Sequence, residues 1–289
     1  MEITGRTRFT AVFGDPVEHS LSPAMHNAAY ATLGLERAYL AFHVEPADLH
    51  DALRALPALK IVGVNLTVPH KENAFALVSH LSEEAQRLGA INCIISRNGE
   101  LYGDNTDAQG LELDLRACGV TLEGRAIVIV GAGGAAASAV LACTRLGARR
   151  ILLCNRTIER ASKLVQRMMR LGPAPRGVLI RAEGLDGLAE PANLSDVALV
   201  MNATPMGQKS TGFTALAYDA TPVDCVFYDM VYARVPTPFI APALGLGRRA
   251  FDGAGMLLHQ GVLAFQLFNE VAAPAAAMRA ALMSALGRG

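Results

Sequence analysis

The chain carries no excess of either charge: Lys and Arg together number 26 in its 289 residues, and so do Asp and Glu. That balance removes the basic field with which proteins hold nucleic acid or anionic membrane, so neither is expected as a partner. Cysteine pairs are missing too. Cys93, Cys118, Cys143, Cys154 and Cys225 are scattered, odd in number and without a C-x-x-C motif. Four of them stand among apolar neighbours, which suits buried free thiols in a reducing compartment. Of the seven histidines only His80 has a Glu or Cys at i,i+4 spacing (Glu84), and one such pair without a third ligand indicates no metal site. The uncharged run 126–144 is nearly long enough for a bilayer, but its glycines split it into a strand and a helix, and Arg125 and Arg145 bound it. No long apolar core follows Arg6 and Arg8, so no signal peptide is read and the expected location is cytoplasmic.

What is present is alternation of strand-like and helix-like segments, the pattern of parallel α/β architecture. Strands are expected at 9–13, 39–43, 61–66 and 91–96, and helices near 23–33, 46–56 and 70–80. Asn98-Gly99 predicts a hairpin turn, and a helix is expected from Leu111 to Cys118 before Gly119. Gly172 to Gly177 reads as a loop. The pattern restarts at Arg125, with further strands at 150–154, 197–202, 225–230 and 248–252 separated by helices and loops, and after Gly255 the rest reads as helical. The expected organisation is a first α/β domain over 1–106, a second over 107–251, and a helical segment, 252–289, that packs back on the first.

The most telling stretch is Ala126-Ile-Val-Ile-Val-Gly-Ala-Gly-Gly-Ala-Ala136. An apolar strand stops at Gly131 and a small-residue helix begins after the glycines. Gly131, Gly133 and Ala136 fill a G-x-G-x-x-A turn: one glycine for the bend, one for close approach of a pyrophosphate, one small residue for helix–strand packing. The next strand ends in Asn155-Arg156-Thr157, where an NAD-binding fold would carry an acid for the ribose diol. An acid repels a 2′-phosphate and an arginine can hold one, so the expected cofactor is NADP.

Polar residues gather at other segment ends. Ser22 before Pro23 reads as a capped helix start, and Ser20 adds a second hydroxyl suited to a small anion. Asn65 and Thr67 close an apolar strand, where ligands of open α/β sheets bind. Lys71 follows in a first helical turn, where a cation opposes the helix dipole; it is either a solvated lysine or one held for chemistry by a carboxylate. Asp107 could be that carboxylate or simply a helix cap, with Asp104 competing. Asn92, inside an apolar strand, needs partners, which neighbouring backbone could supply. Met206, Tyr232 and Gln260 lie at later segment ends, Met206 able to lie against a ring.

Taken together these segments resemble the shikimate dehydrogenase family over essentially the whole chain. The matching motifs are His19-Ser-Leu-Ser-Pro23, Asn65-Leu-Thr-Val-Pro-His-Lys71, Gly89-Ala-Ile-Asn92, Gly103-Asp-Asn-Thr-Asp107, Gly131-Ala-Gly-Gly-Ala135, Asn155-Arg-Thr157, Asn202-Ala-Thr-Pro205, Val231-Tyr232 and Met256-Leu-Leu-His-Gln-Gly261. The resemblance implies reversible NADPH-dependent reduction of 3-dehydroshikimate to shikimate, on a substrate domain with a mostly parallel sheet, a Rossmann domain and returning C-terminal helices. It implies Lys71 and Asp107 as the catalytic pair, Ser20 and Ser22 as carboxylate binders, Asn65, Thr67, Asn92 and Gln260 on the ring hydroxyls, and Tyr232 as a further substrate contact. For the cofactor it implies Gly131, Ala132, Gly133, Gly134 and Ala135, then Asn155, with Arg156, Thr157 and Arg160 at the 2′-phosphate, and Thr204, Met206, Gly253 and Met256. Members that are monomers and members that are homodimers both occur. Two departures stand out, Ala108 where many members have Gly and Gln208 where Met is frequent.

Overall fold

Runs of Val, Ile and Leu bounded by glycine or polar turns become two six-stranded sheets among the residues that the computed structural model describes, 3–170, 177–207 and 212–288. Gln208 and residues 172–176, where a loop is expected, lie outside those residues. The chain divides into two compact units, one of Met1–Gly110 with Leu257–Gly289 and one of Leu111–Met256. The breaks therefore fall a few residues beyond 106 and 251, and Asp107 belongs to the first unit.

The first unit holds β1 (Arg8–Gly14), β2 (Arg37–His43), β3 (Gly63–Leu66), β4 (His80–Leu81), β5 (Cys93–Arg97) and β6 (Glu100–Asp104), in the order β2-β1-β3-β5-β6-β4. Only β5 runs against the others in this sheet. The β5–β6 hairpin turns at Asn98 and Gly99, both at positive φ (53° and 84°), as an Asn-Gly two-residue turn requires. The expected helix over 70–80 is only His70–Asn73 followed by a 3₁₀ turn, Ala74–Ala76. His80 and Leu81 instead pair with Tyr102 and Gly103, so sheet hydrogen bonding overrides the local helical pattern.

The C-terminal helices complete this first core. Helix Ala275–Ala285 packs on helix Ser22–Leu33. Phe265 is fully buried, which removes from water a side chain worth about 1.5–3 kcal/mol. Phe268 lies where a Cβ on Gly63 would stand, 2.5 Å from its ring, so only glycine admits it against β3. Arg37 ties the end of helix Ala254–Asn269 to β2 by bonds to the Phe268 carbonyl (3.1 Å) and Asn269 Oδ1 (2.5 Å).

The second unit holds β7 (Ala126–Val130), β8 (Arg150–Cys154), β9 (Leu179–Glu183), β10 (Val197–Asn202), β11 (Val226–Asp229) and β12 (Arg249–Asp252). All are parallel, and the order β9-β8-β7-β10-β11-β12 reads 3-2-1-4-5-6 counted from β7, the order of dinucleotide-binding Rossmann sheets. β9 escapes the sequence pattern because it is a half-exposed edge strand without an apolar run. The uncharged run 126–144 divides as expected into β7 and helix Gly134–Arg145, and among the described residues no helix is long and apolar enough to cross a membrane. All five thiols are free; burial pushes those of Cys143, Cys154 and Cys225 up to about 12, far from the range of a reactive thiolate.

Candidate active site

In the first unit Lys71 and Asp107, 36 residues apart in sequence, meet: Lys71 Nζ donates to Asp107 Oδ2 at 2.6 Å. The carboxylate side chain is 6% exposed and the ammonium-bearing one 24%, so the cation alone reaches solvent. The helix His70–Asn73 is one turn long, so the dipole opposing Lys71 is small, and Asp107 supplies the compensating charge.

The competing readings of the neighbours resolve by geometry. Asp107 opens helix Asp107–Ala117 four residues earlier than expected, yet the residue that accepts its amide is Asn105, through Oδ1 at 2.9 Å. Asp104 turns away, accepting from the Ser82 hydroxyl (2.5 Å) and the Asn105 amide (2.7 Å). Asn92 does more than bond backbone: its Nδ2 donates to Asp107 Oδ1 (2.8 Å) and Thr106 Oγ1 (3.0 Å), and its Oδ1 accepts from the Thr106 amide (2.8 Å). Both oxygens of Asp107 are therefore engaged, one by Lys71 and one by Asn92. An ammonium has three protons, and the Asp107 bond occupies one of them.

The network continues outward. Asn65 Nδ2 donates to the Asn92 carbonyl (3.1 Å), and its Oδ1 accepts from the Tyr39 phenol (2.8 Å). Burial pushes that phenol well above its ordinary value, and the neighbouring Ser22 side chain opposes the rise. His26 stacks on Tyr39 at 4.1 Å, and burial drives its imidazole down to about 3, so it is neutral near pH 7. A chain of contacts thus links Ser22, Tyr39, Asn65, Asn92, Asp107 and Lys71. The expected cap is corrected here: helix Ser22–Leu33 starts at Ser22 itself, whose side chain caps nothing. Ser20 Oγ accepts the Ser22 amide at 3.4 Å instead. Thr67 is half-buried, its methyl where a Cβ on Gly14 would stand. Gln260 donates to the Leu257 carbonyl (2.8 Å), and its backbone lies against Gly110, where a Cβ would sit 2.8 Å from the Gln260 nitrogen. Sequence reasoning missed Tyr39, Asn105 and Thr106. The available signals were a phenol inside the strand β2 and two polar residues between Asp104 and Asp107.

In the second unit the glycine turn sits at the carboxyl end of β7. Gly131 has φ +128°, and a Cβ there would stand 2.9 Å from the Ala203 carbonyl oxygen. Gly131→Ala is expected to cost about 1–3 kcal/mol from backbone strain alone, read as a lowered thermal midpoint with weakened NADPH binding. Unchanged values for both would refute the need for glycine. Gly133, by contrast, has nothing within 4 Å of a Cβ position and precedes helix Gly134–Arg145, which has no side-chain cap. Open space over the uncapped amides of a twelve-residue helix fits a pyrophosphate. Ala132 completes that turn, and Gly134 and Ala135 open the helix; all three are half-buried.

Beside it, at the end of β8, Asn155 Nδ2 donates to the Thr157 carbonyl (2.8 Å) and Arg160 N to the same oxygen (3.0 Å), shaping the 155–160 turn. Arg156, Thr157 and Arg160 are exposed, and neither arginine has an acidic partner among the described residues. At the end of β10, Asn202 Oδ1 accepts from the Thr204 amide (3.0 Å) and hydroxyl (2.6 Å), and its Nδ2 donates to the Met206 carbonyl (3.2 Å). Gly253, where a Cβ would stand 2.2 Å from the Met230 carbonyl oxygen, and buried Met256 follow β12. Tyr232 is half-buried after β11, and burial raises its phenol.

A Rossmann sheet with an open glycine turn, and a second α/β unit with a part-exposed lysine on a buried carboxylate, define the class of two-domain nucleotide-dependent oxidoreductases. Known proteins narrow the class. The family model described as shikimate dehydrogenase substrate binding domain matches residues 12–94, that of shikimate / quinate 5-dehydrogenase residues 112–203, and that of the shikimate 5'-dehydrogenase C-terminal domain residues 253–283. The shikimate dehydrogenase (NADP(+)) of Geobacter sp. (strain M21) is 39% identical over 99% of this chain and 98% of its own. A solved shikimate dehydrogenase in complex with NADP+ is 31% identical, with TM-score 0.89 over 99% of this chain and 98% of that one. The Thermus thermophilus shikimate 5-dehydrogenase in complex with NADP(H) and shikimate is 35% identical, with TM-score 0.83 over 96% of this chain and 100% of its own. The chain belongs to the shikimate dehydrogenase family.

Proposed function

We propose that this protein catalyses the reversible NADP-dependent interconversion of shikimate and 3-dehydroshikimate, a step toward chorismate and the aromatic amino acids. The observation that carries the reading is the Lys71–Asp107 bond of 2.6 Å within a network that also engages Asn92 and Asn65. NADPH, when bound, supplies the hydride; the residues of this chain supply binding, orientation and the proton. Carbonyl reduction builds negative charge on oxygen, which the Lys71 ammonium stabilises and then protonates. Asp107 holds and aims the Lys71 ammonium, and Asn92 fixes Asp107 by its other oxygen.

In this reading Ser20 and Ser22 take the substrate carboxylate, Asn65, Thr67, Asn92 and Gln260 the ring hydroxyls, and Tyr232 a further contact. The turn Gly131 to Ala135 holds the pyrophosphate, and Asn155, Arg156, Thr157 and Arg160 hold the adenosine phosphate end. Thr204, Met206, Gly253 and Met256 line the nicotinamide end. Five free thiols suit a reducing cytoplasm.

A second substrate is favoured by one observation: the model matching 112–203 is described as shikimate / quinate 5-dehydrogenase. One assay tests both, following the absorbance of the reduced cofactor with shikimate or quinate crossed against NADP or NAD. The expected result is rapid turnover with shikimate and NADP. Turnover with quinate alone, or with no pair, would overturn the proposal.

A further inference from the structure

The second unit buries a carboxylate that the functions above do not use. Asp229, the last residue of β11, is fully buried, and burial pushes it up to about 6 against the pull of its hydrogen bonds to Thr237, Val231 and Asn202. Its Oδ1 accepts from Asn202 Nδ2 (2.9 Å) and from the Val231 amide (3.0 Å), and its Oδ2 from the Thr237 hydroxyl (2.5 Å). No cation accounts for it, since none of these partners carries charge. A buried carboxylate without a cation is expensive to keep, whereas apolar packing would serve a merely structural strand end more simply.

The partners of Asp229 tie together the segments at the carboxyl edge of the sheet, Asn202 that after β10, and Val231 and Thr237 the two ends of that after β11. Asn202 holds the segment after β10 by its bonds to Thr204 and to the Met206 carbonyl. The Val231 amide fixes the turn after β11, whose carbonyl in turn accepts the Gly253 amide after β12 at 3.1 Å. That contact is close, because a Cβ on Gly253 would strike the Met230 carbonyl. Thr237 anchors the start of helix Ile240–Gly245 by accepting the Ile240 amide at 3.3 Å. Asn202 has two donor protons on Nδ2; Asp229 takes one and Met206 the other, so the carboxylate decides which way the amide faces. Turned over, the amide would present a donor to the Thr204 amide and lose the loop.

We propose that Asp229 is a positioning residue for NADP: through the orientation of Asn202 and the Val231 turn it presets the segments at 204–206, 230–231 and 253 that receive the nicotinamide end of the cofactor. The inference rests on the nucleotide reading of the second unit. Asp229 touches no reacting atom in this scheme; it acts through Asn202.

The test is NADPH binding to the full chain without substrate, by fluorescence titration, with circular dichroism to confirm folding. Asp229→Ala is expected to raise the Kd at least about tenfold, a change of about 1.4 kcal/mol. Asp229→Asn keeps an acceptor for Asn202 and Val231 and is expected to stay within about threefold of the parent, on the few tenths of a kcal/mol that an equivalent bond leaves. Asn202→Ala is expected to match Asp229→Ala, and the double variant to lose little more, since both act through one bond. If Asp229→Ala does not fold, Asn202→Ala against Asp229→Asn carries the same comparison. A purely structural role lowers the thermal midpoint and leaves the Kd of the folded protein unchanged; that result, additive effects, or a loss in Asp229→Asn equal to that in Asp229→Ala overturns the proposal. Failure of the parent protein to bind NADPH would instead overturn the nucleotide reading.

Discussion

Lys71→Ala is expected to lower kcat by roughly 10²–10⁴-fold, the range a positioned general acid supplies, while NADPH affinity stays as in the parent. The ground is geometric. Nζ is the only cationic group bonded to Asp107, and its remaining protons are unclaimed among the described residues. Without it, charge developing on the substrate oxygen meets a buried carboxylate, the wrong sign for stabilisation. Every side chain in this network, from Ser22 to Asp107, belongs to the first unit, so the glycine turn of the second is untouched. Initial rates with saturating shikimate and NADP, set beside a fluorescence titration with NADPH, separate the two quantities. Parent-like kcat in a folded Lys71→Ala protein would remove the catalytic assignment of the pair. Equal losses in kcat and NADPH affinity would show that the substitution had disturbed more than the proton donor.

NADP is expected to exceed NAD by about a hundredfold or more in kcat/KM. A hydrogen bond to a charged group contributes roughly 1.5–3 kcal/mol, and each 1.4 kcal/mol is about tenfold. Arg156 and Arg160 both stand exposed after β8 without an acidic partner among the described residues, so neither must break an ion pair to reach a 2′-phosphate. Replacing both by alanine should bring the two cofactors to comparable kcat/KM, chiefly by weakening NADP. Because the groups are exposed, the preference should shrink as salt rises. Comparable kcat/KM for NAD and NADP in the parent protein would refute the role of the pair.

Where periodicity and turn chemistry act locally, the residues announce the structure. The Asn98-Gly99 hairpin, the β7 run ending at Gly131 and the strand closing at Cys154 all fall where the pattern puts them. The errors have one physical origin. Residues 70–80 carry a helical pattern, yet His80 and Leu81 are claimed by β6, a partner that local sequence does not reveal. β9 is invisible because an edge strand need not be apolar. Ser22 reads as a cap by its place before Pro23, and only the fold sets its hydroxyl beside the Tyr39 phenol.

The candidate site divides in the same way. Short motifs sufficed to nominate Lys71, Asn92 and Asp107 one by one, and to prefer a phosphate-holding arginine over an acid after β8. They read Asp104 as a turn residue competing with Asp107, but no local pattern shows which of the two, three positions apart in one segment, faces Lys71. The hairpin settles that choice: Asp104 ends β6 facing Ser82, whereas Asp107, at the start of the following helix, faces Lys71 and Asn92. Tyr39 and Asp229 went unnoticed because their importance lies in bonds to Asn65 and Asn202, each about 26 or 27 positions away.

By itself, then, the order of residues determined the alternation of elements, the glycine turn and the inventory of chemical groups, since these depend on neighbours within a few positions. Tertiary structure decided which groups share hydrogen bonds, because a carboxylate's partner is set by strand order and helix entry across dozens of residues. Lys71 is a lone cation in its own helix turn and one half of a hydrogen-bonded pair, the proposed proton donor, only after β3, β5 and β6 have brought Asp107 to it.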